Sequence, residues 1–152
     1  MSITNRGKFA VLNSYFRATG TPTNFFVALV TGSTAPTVDT NTLGELTQIE
    51  TGNGYSDGGN SVARTSGGWD VINEDDTNNS GSIQASDVTF TASGGDMPSV
   101  GSGARYAVLT NDNGTVANRE VYAYWDLTAD RKVSDGQSLV LQDLEIRLTE
   151  PA

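Results

Sequence analysis

The sequence predicts an all-β, mainly antiparallel protein built as a β-sandwich, with a jelly-roll as one topology for it and one short N-terminal helix. Three observations support this fold class. The 17 glycines among 152 residues, together with many Thr, Ser, Asn and Asp residues, are typical of short strands joined by turns. Residues 104–127 alternate polar and apolar side chains around an Asn-Asp-Asn-Gly segment, which predicts a β-hairpin. About seven or eight short strands are expected in all, as in sandwiches and jelly-rolls.

The first part of the chain carries the pattern of a short helix. Asn5 is expected to cap the helix and Gly20 to end it. Phe9, Leu12 and Phe16 lie at positions i, i+3 and i+7, so they share one side of the helix. Two interpretations of this apolar side stay open: it packs against the rim of the β-domain, or it contacts another subunit.

The length of the chain indicates one domain. We predict a helical arm at residues 1–20 and a single β-sandwich domain at residues 21–152. No apolar run approaches the roughly 20 residues that a membrane span needs, and the first residues lack the apolar core of a signal peptide. The protein is therefore expected to be made in the cytoplasm and to have no membrane partner.

Several strands follow from the residue pattern. Residues 25–30 are apolar without alternation, which predicts a strand covered on both faces. Residues 69–73 form a further predicted strand, which ends at the acidic turn 74–79. The apolar positions change parity at residues 86–87 and again at 142–143, so a bulge or bend is expected at each of these places.

The return strand of the predicted hairpin has two distinct faces. Glu120, Tyr122, Tyr124 and Asp126 alternate with four apolar residues and are expected to share the outer face. Two exposed tyrosines on one face would suit a carbohydrate-binding module. The interpretation that we favour is a face covered by loops or by a neighbouring subunit, where aromatic side chains are enriched.

Catalytic chemistry has few residues to use in this sequence. The chain contains no cysteine and no histidine, which excludes Ser-His-Asp and Cys-His sites and zinc sites that depend on those ligands. Glu120 and Asp126 are six positions apart, about 20 Å along a strand, which is too far for a glycosidase pair. We therefore predict that the protein is not an enzyme and needs no cofactor.

Two loops resemble ligand-binding motifs only in part. The glycine-rich loop at residues 52–59 lacks the Lys-Ser/Thr pair of a phosphate-binding loop, so Tyr55 is expected to pack back onto the sheet. The acidic turn 74–79 offers oxygen ligands but not the spacing of a calcium-binding loop, which favours an exposed hairpin tip and leaves a metal site there open.

The charge distribution limits the choice of partner. A net charge of −9 argues against nucleic-acid binding, which normally needs a basic face. Arg6, Lys8 and Arg17 nevertheless precede the first acidic residue, Asp39. The N-terminal segment is therefore either one part of an ordinary charged surface or a basic arm that binds an acidic partner.

Five stretches of the chain are similar, in this order, to a recurrent type of tailed-bacteriophage structural protein. They are residues 26–31 (FVALVT), 41–49 (NTLGELTQI), 52–59 (GNGYSDGG), 89–95 (TFTASGG) and 104–109 (ARYAVL). The resemblance implies a capsid cement or decoration protein of the virion, β-rich and often trimeric, that binds the outside of the major capsid protein lattice. A phage tail, fibre or baseplate component that binds glycans is the alternative.

The partner contacts are expected in the N-terminal helix and on the outer face of the hairpin. The candidate residues are Arg6, Lys8, Phe9, Leu12, Phe16, Tyr122 and Tyr124.

Overall fold

The computed structural model describes residues 1–149. Ten strands and one α-helix occur among these residues. In chain order they are β1 (Ser2–Ile3), α1 (Asn5–Arg17), β2 (Asn24–Val30), β3 (Asn60–Ala63), β4 (Trp69–Asp75), β5 (Ser80–Ala85), β6 (Val88–Thr91), β7 (Ala104–Thr110), β8 (Val121–Arg131), β9 (Ser138–Leu141) and β10 (Leu144–Thr149). The prediction of a mainly antiparallel all-β fold with one N-terminal helix is confirmed. The finer predictions, a sandwich with jelly-roll topology and a boundary at residue 20, stay predictions.

The largest sheet has five strands in the order β1-β8-β7-β2-β3, and every neighbouring pair is antiparallel. The predicted hairpin is confirmed as β7 and β8, although its connection is longer than the predicted four-residue turn and runs over residues 111–120. β1 pairs with the outer edge of β8. The first residues of the chain therefore belong to the sheet.

Two smaller sheets complete the fold. One has the order β10-β5-β4, and the other consists of β6 and β9. The irregularities expected at residues 86–87 and 142–143 are present, but each is an interruption between strands of different sheets rather than a bulge within one strand. Because β5 pairs with β10 and β6 with β9, the two interruptions lie opposite each other. The side chain of Gln84 in β5 donates a hydrogen bond of 2.9 Å to Asp143 in the second interruption.

Both faces of the five-stranded sheet are buried. Val27, Ala28, Leu29 and Val30 of β2 are fully buried, which confirms the prediction for this strand. Val27 and Leu29 join the main core with residues of the smaller sheets, whereas Ala28 and Val30 join a second cluster that includes Leu43. The main core also contains the following large buried side chains: Tyr55, Phe90, Met97, Leu109, Trp125, Leu141 and Leu144.

The glycine-rich loop closes over the main core as expected. Tyr55 is buried and its ring packs beside that of Phe90, with 5.9 Å between the ring centroids. The hydroxyl oxygen of Tyr55 accepts a hydrogen bond of 3.1 Å from the amide of Leu29. The loop is thus a structural element held by one buried tyrosine.

Candidate interaction surface

The start of α1 is fixed to the edge of the large sheet by Thr4. Its hydroxyl group donates to the carbonyl oxygen of Val121 at 2.5 Å and accepts from the amide of Gly7 at 2.9 Å. The amide of Thr4 also donates to the carbonyl of Tyr122 at 2.9 Å. Thr4 is therefore the N-cap, and the prediction that Asn5 caps the helix was wrong because Asn5 is already its first residue. The helix ends at Arg17, and its C-cap is Ala18 in the left-handed conformation, so it stops before Gly20, which was expected to end it.

Small residues form the side of α1 that packs on the sheet. Gly7 and Ala10 are its buried residues. A β-carbon added to Gly7 would lie 2.2 Å from the carbonyl oxygen of Tyr122, so the backbones of α1 and β8 are in direct contact there. Since the helix packs through such small side chains, its large apolar side chains point elsewhere.

Phe9, Leu12 and Phe16 lie on the side of α1 that faces away from the sheet, and we call this set the outer face. Their exposed fractions are 51%, 58% and 75%. At about 100° per residue, they project on the opposite side of the helix from Gly7 and Ala10. The interpretation that they pack on the β-domain is therefore wrong. The alternative, a contact with another subunit, fits the exposure of all three side chains.

A groove of about 1180 Å³ runs between α1 and the three-stranded sheet. We call it the helix groove, and its apolar lining includes Val11, Tyr15, Phe25, Trp69, Ile72 and Leu148. The ring of Phe25 packs edge to face on that of Trp69, with 5.4 Å between the centroids. Ile72 is 82% exposed. An isoleucine this exposed marks the strand β4 as an uncovered apolar surface.

Sequence reasoning missed the helix groove, although Ile72 carries a usable signal. It follows Val71 in a strand whose other residues from Asp70 to Asp75 are polar, and both of these apolar side chains are exposed. The pairing of Ile72 with Ile83, and of Ile83 with Ile146, places three isoleucines side by side on one face of the small sheet. This long-range register is what creates the apolar wall.

α1 and the hairpin of β4 and β5, which borders the helix groove, carry opposite charge. α1 contains Arg6, Lys8 and Arg17 and no acidic residue. The hairpin of β4 and β5, residues 69–85, contains Asp70, Glu74, Asp75 and Asp76 and no lysine or arginine. α1 is therefore basic, and the hairpin of β4 and β5 is acidic.

Arg6 is already paired within the chain. Its guanidinium forms an ion pair with Glu120 and lies over the ring of Phe9, 5.0 Å from the ring centroid. The hydrogen bond to Glu120 raises the pKa of Arg6. Lys8 is exposed on the same helix and forms no ion pair among the described residues. Lys8 is thus better placed than Arg6 to attract an acidic partner.

Tyr122 and Tyr124 do not lie on the same face of β8, so the prediction that they do was wrong. Leu109 pairs with Ala123 but Thr110 pairs with Val121, which makes Tyr122 the extra residue of a bulge in β8. The bulge turns Tyr122 into the main core, where it is 8% exposed, while half-buried Tyr124 packs on the second cluster. Burial, followed by the nearby negative charge of Glu120, raises the pKa of Tyr122 to about 12.

The acidic turn 74–79 forms the tip of the hairpin of β4 and β5, as expected. Both carboxylate oxygens of Asp75 are used within the turn: one accepts from the amides of Thr77 and Asn78, and the other accepts from the Asn78 side chain. Among residues 1–149, no group of three or more acidic side chains is arranged to hold a metal ion.

Comparisons with protein-family models, with curated proteins and with solved structures gave no match for this chain. α1, at 13 residues, is shorter than a membrane span, and no helix within residues 1–149 is both long and apolar enough to cross a membrane.

Proposed function

We propose that this protein is a non-enzymatic structural protein of a tailed-bacteriophage virion, of the capsid cement or decoration type. It is made in the host cytoplasm and binds, as a homo-oligomer with a trimer favoured, to the outside of the major capsid protein lattice. The observation that carries the proposal is the outer face of α1, where Phe9, Leu12 and Phe16 are exposed on a helix fixed to the sheet.

The outer face is too apolar for a surface that stays in water. An amphipathic helix normally turns its large apolar side chains toward the core, whereas α1 buries Gly7 and Ala10 and exposes Phe9, Leu12 and Phe16. Complete burial of one such side chain contributes roughly 1.5–3 kcal/mol, and contiguous apolar patches mark interaction sites. These terms favour a protein whose working state is an assembly.

The anchoring of α1 suits an assembly contact. Because Thr4 and Gly7 hold the helix against β8, its outer face is ordered before any partner arrives. A pre-ordered surface loses less conformational entropy on binding. The five stretches that resemble tailed-bacteriophage structural proteins support a virion as the assembly, and the exposed face of α1 is a surface suited to it.

The first test is immunogold labelling of particles from the source culture with an antibody against this chain. Regular label over the heads supports the cement function. Label confined to the tails would replace it with the glycan-binding tail alternative, and unlabelled particles would reject a virion component altogether.

Binding to capsids gives a second, quantitative test. Purified protein is sedimented with capsids that lack it, and the bound amount is measured. We expect saturable binding by the unchanged chain and by Val100→Gln, a control in which an exposed apolar residue away from α1 and the helix groove is made polar. Absence of binding by the unchanged chain would contradict the proposed function.

A further inference from the structure

We infer that the outer face of α1 in one copy of this chain inserts into the helix groove of a second copy. This contact deepens the proposed function and rests on it, because it names what covers the outer face when the protein assembles. Its components are Phe9, Leu12 and Phe16 on one copy and the groove lined by Ile72 and Leu148 on the other.

The two surfaces match in form. Phe9, Leu12 and Phe16 follow the i, i+3, i+7 spacing by which a helix presents anchors to an apolar groove. The helix groove is open, lies beside a sheet face and, at about 1180 Å³, is large for a small-molecule site, for which 300–1,000 Å³ is usual. It therefore has the size and the apolar lining to receive large side chains from a helix.

The charges select a second copy as the occupant. Lys8 and Arg17 flank the outer face, whereas Glu74 lines the groove and Asp70 and Asp76 lie on the hairpin that borders it. These three acidic residues outnumber Arg64, the one basic residue in the lining. Packing two outer faces together would bring basic residues against basic residues, and packing two grooves together would oppose the acidic hairpins. Insertion of the helix into the groove pairs opposite charges, which favours this contact over the two symmetric ones.

A chain cannot make this contact with itself. The outer face points away from the sheet, while Val11 and Tyr15 are the residues of α1 that line its own groove. The contact uses two different surfaces, so each copy offers one helix and one groove. Such contacts close into reciprocal pairs or rings, or extend as chains.

The test is analytical ultracentrifugation of the 152-residue chain without capsids. We expect the unchanged chain and the control Val100→Gln to form the same oligomer. Two variants are expected to be monomeric: Leu12→Gln with Phe16→Gln, which changes the outer face, and Ile72→Gln with Leu148→Gln, which changes the groove. All four side chains are exposed, and circular dichroism with thermal melting verifies that each variant is folded.

Mixing the two monomeric variants decides between this contact and the symmetric ones. The groove variant retains an intact helix and the outer-face variant retains an intact groove, so their mixture is expected to give a 1:1 complex. The fluorescence of Trp69, which lines the groove, should change on mixing, and Trp69→Phe in the outer-face variant should remove that signal. A mixture that stays monomeric would overturn the inference, as would an oligomer that survives either double substitution.

Capsid binding separates failure of this inference from failure of the proposed function. A chain that is monomeric at all concentrations, yet binds capsids through Leu12 and Phe16, would overturn the inference and leave the cement function standing, with the capsid protein covering the outer face. An oligomer with the expected mixing behaviour but without capsid binding would support the inference and reject the cement function.

Discussion

Gly7 packs directly on the carbonyl group of Tyr122, at a distance that leaves no room for a side chain. A β-carbon at position 7 would lie 2.2 Å from the carbonyl oxygen and 2.9 Å from the carbonyl carbon. The amide of Thr4 donates to that same oxygen. One backbone carbonyl thus determines both where α1 begins and how closely it approaches the sheet.

Replacement of Gly7 by alanine is expected to destabilise the protein. The new methyl group would meet backbone rather than a movable side chain, and overpacking of this kind costs roughly 1–3 kcal/mol. Urea unfolding measures the loss. Gly114→Ala is the matched control, since nothing lies within 4 Å of its added β-carbon, and exposed substitutions usually stay within about 0.5 kcal/mol. Equal stability of the two variants would contradict the close packing of α1.

Arg119 is expected to stabilise the fold through its buried guanidinium. This group lies 3.8 Å from the ring centroid of Phe26 and donates to the carbonyl oxygens of Gly58 and Asn113 at 3.1 and 3.2 Å. Arg119→Met leaves both oxygens without this donor, and because Gly58 is buried while Asn113 is exposed, the loss at Gly58 is expected to cost roughly 1–3 kcal/mol. Urea unfolding should show this loss.

Arg147→Met is the control for Arg119. Arg147 forms an exposed ion pair of 2.8 Å with Glu145, and such pairs contribute less than about 1 kcal/mol. Arg119→Lys should restore little, because an ammonium group cannot reproduce the planar stacking and the two directed bonds of arginine. Full recovery with lysine would mean that positive charge alone is what matters at this position.

Glu50 should make stability depend on pH in the acid range. Its Oε2 accepts from the Ser99 hydroxyl at 2.6 Å and from the amides of Ser99 and Val100 at 3.0 Å. These bonds, the Ser99 hydroxyl first, lower the pKa of Glu50. Its stabilisation is therefore present above the unfolded-state pKa of about 4.3 and is lost as pH falls through the lower folded-state pKa.

The Glu50 prediction is checked by thermal melting across this pH range with Glu50→Gln as the comparison. The difference in melting temperature between the two proteins should shrink as the pH falls. A difference that stays constant would show that the ionised carboxylate contributes nothing to the loop at Ser99.

Tyr122 should titrate late at alkaline pH. Its pKa of about 12 exceeds the value of about 10 for an exposed phenol, so the neutral form is favoured in the folded state. The corresponding stabilisation is complete below pH of about 10 and is lost between about 10 and about 12. Phenolate absorbance follows the titration, and Tyr122→Phe should remove one late-titrating phenol while that of Tyr55, whose pKa is also raised by burial, remains.

Local pattern was sufficient for the central buried strand β2 but not for the orientation of the helix. The unbroken apolar run ending in Val30 predicted a strand covered on both faces, and β2 is buried from Val27 to Val30. Phe9 and Phe16 were correctly placed on a common side of α1, but which side meets the sheet is decided by the close approach of Gly7 to Tyr122. That contact spans more than 100 positions in the sequence and leaves no local signal.

The candidate surface could be predicted only in part for the same reason. The alternation around Tyr122 and Tyr124 predicted a shared face, but the bulge that separates them arises from the pairing of Thr110 with Val121. No glycine or proline marks it in the sequence. The helix groove depends on the register of three strands, which single-residue patterns do not contain.

At residues 86–87 and again at 142–143, the chain passes directly from one small sheet to the other. β5 continues into β6 and β9 into β10 at the same level, so neither sheet can open without pulling on the other. Amide hydrogen exchange in these four strands should therefore report one opening event with a common free energy, since such a linked unit unfolds as a single cooperative element. The paired interruptions thus couple the unfolding of the two small sheets, although in the sequence they look like two unrelated breaks.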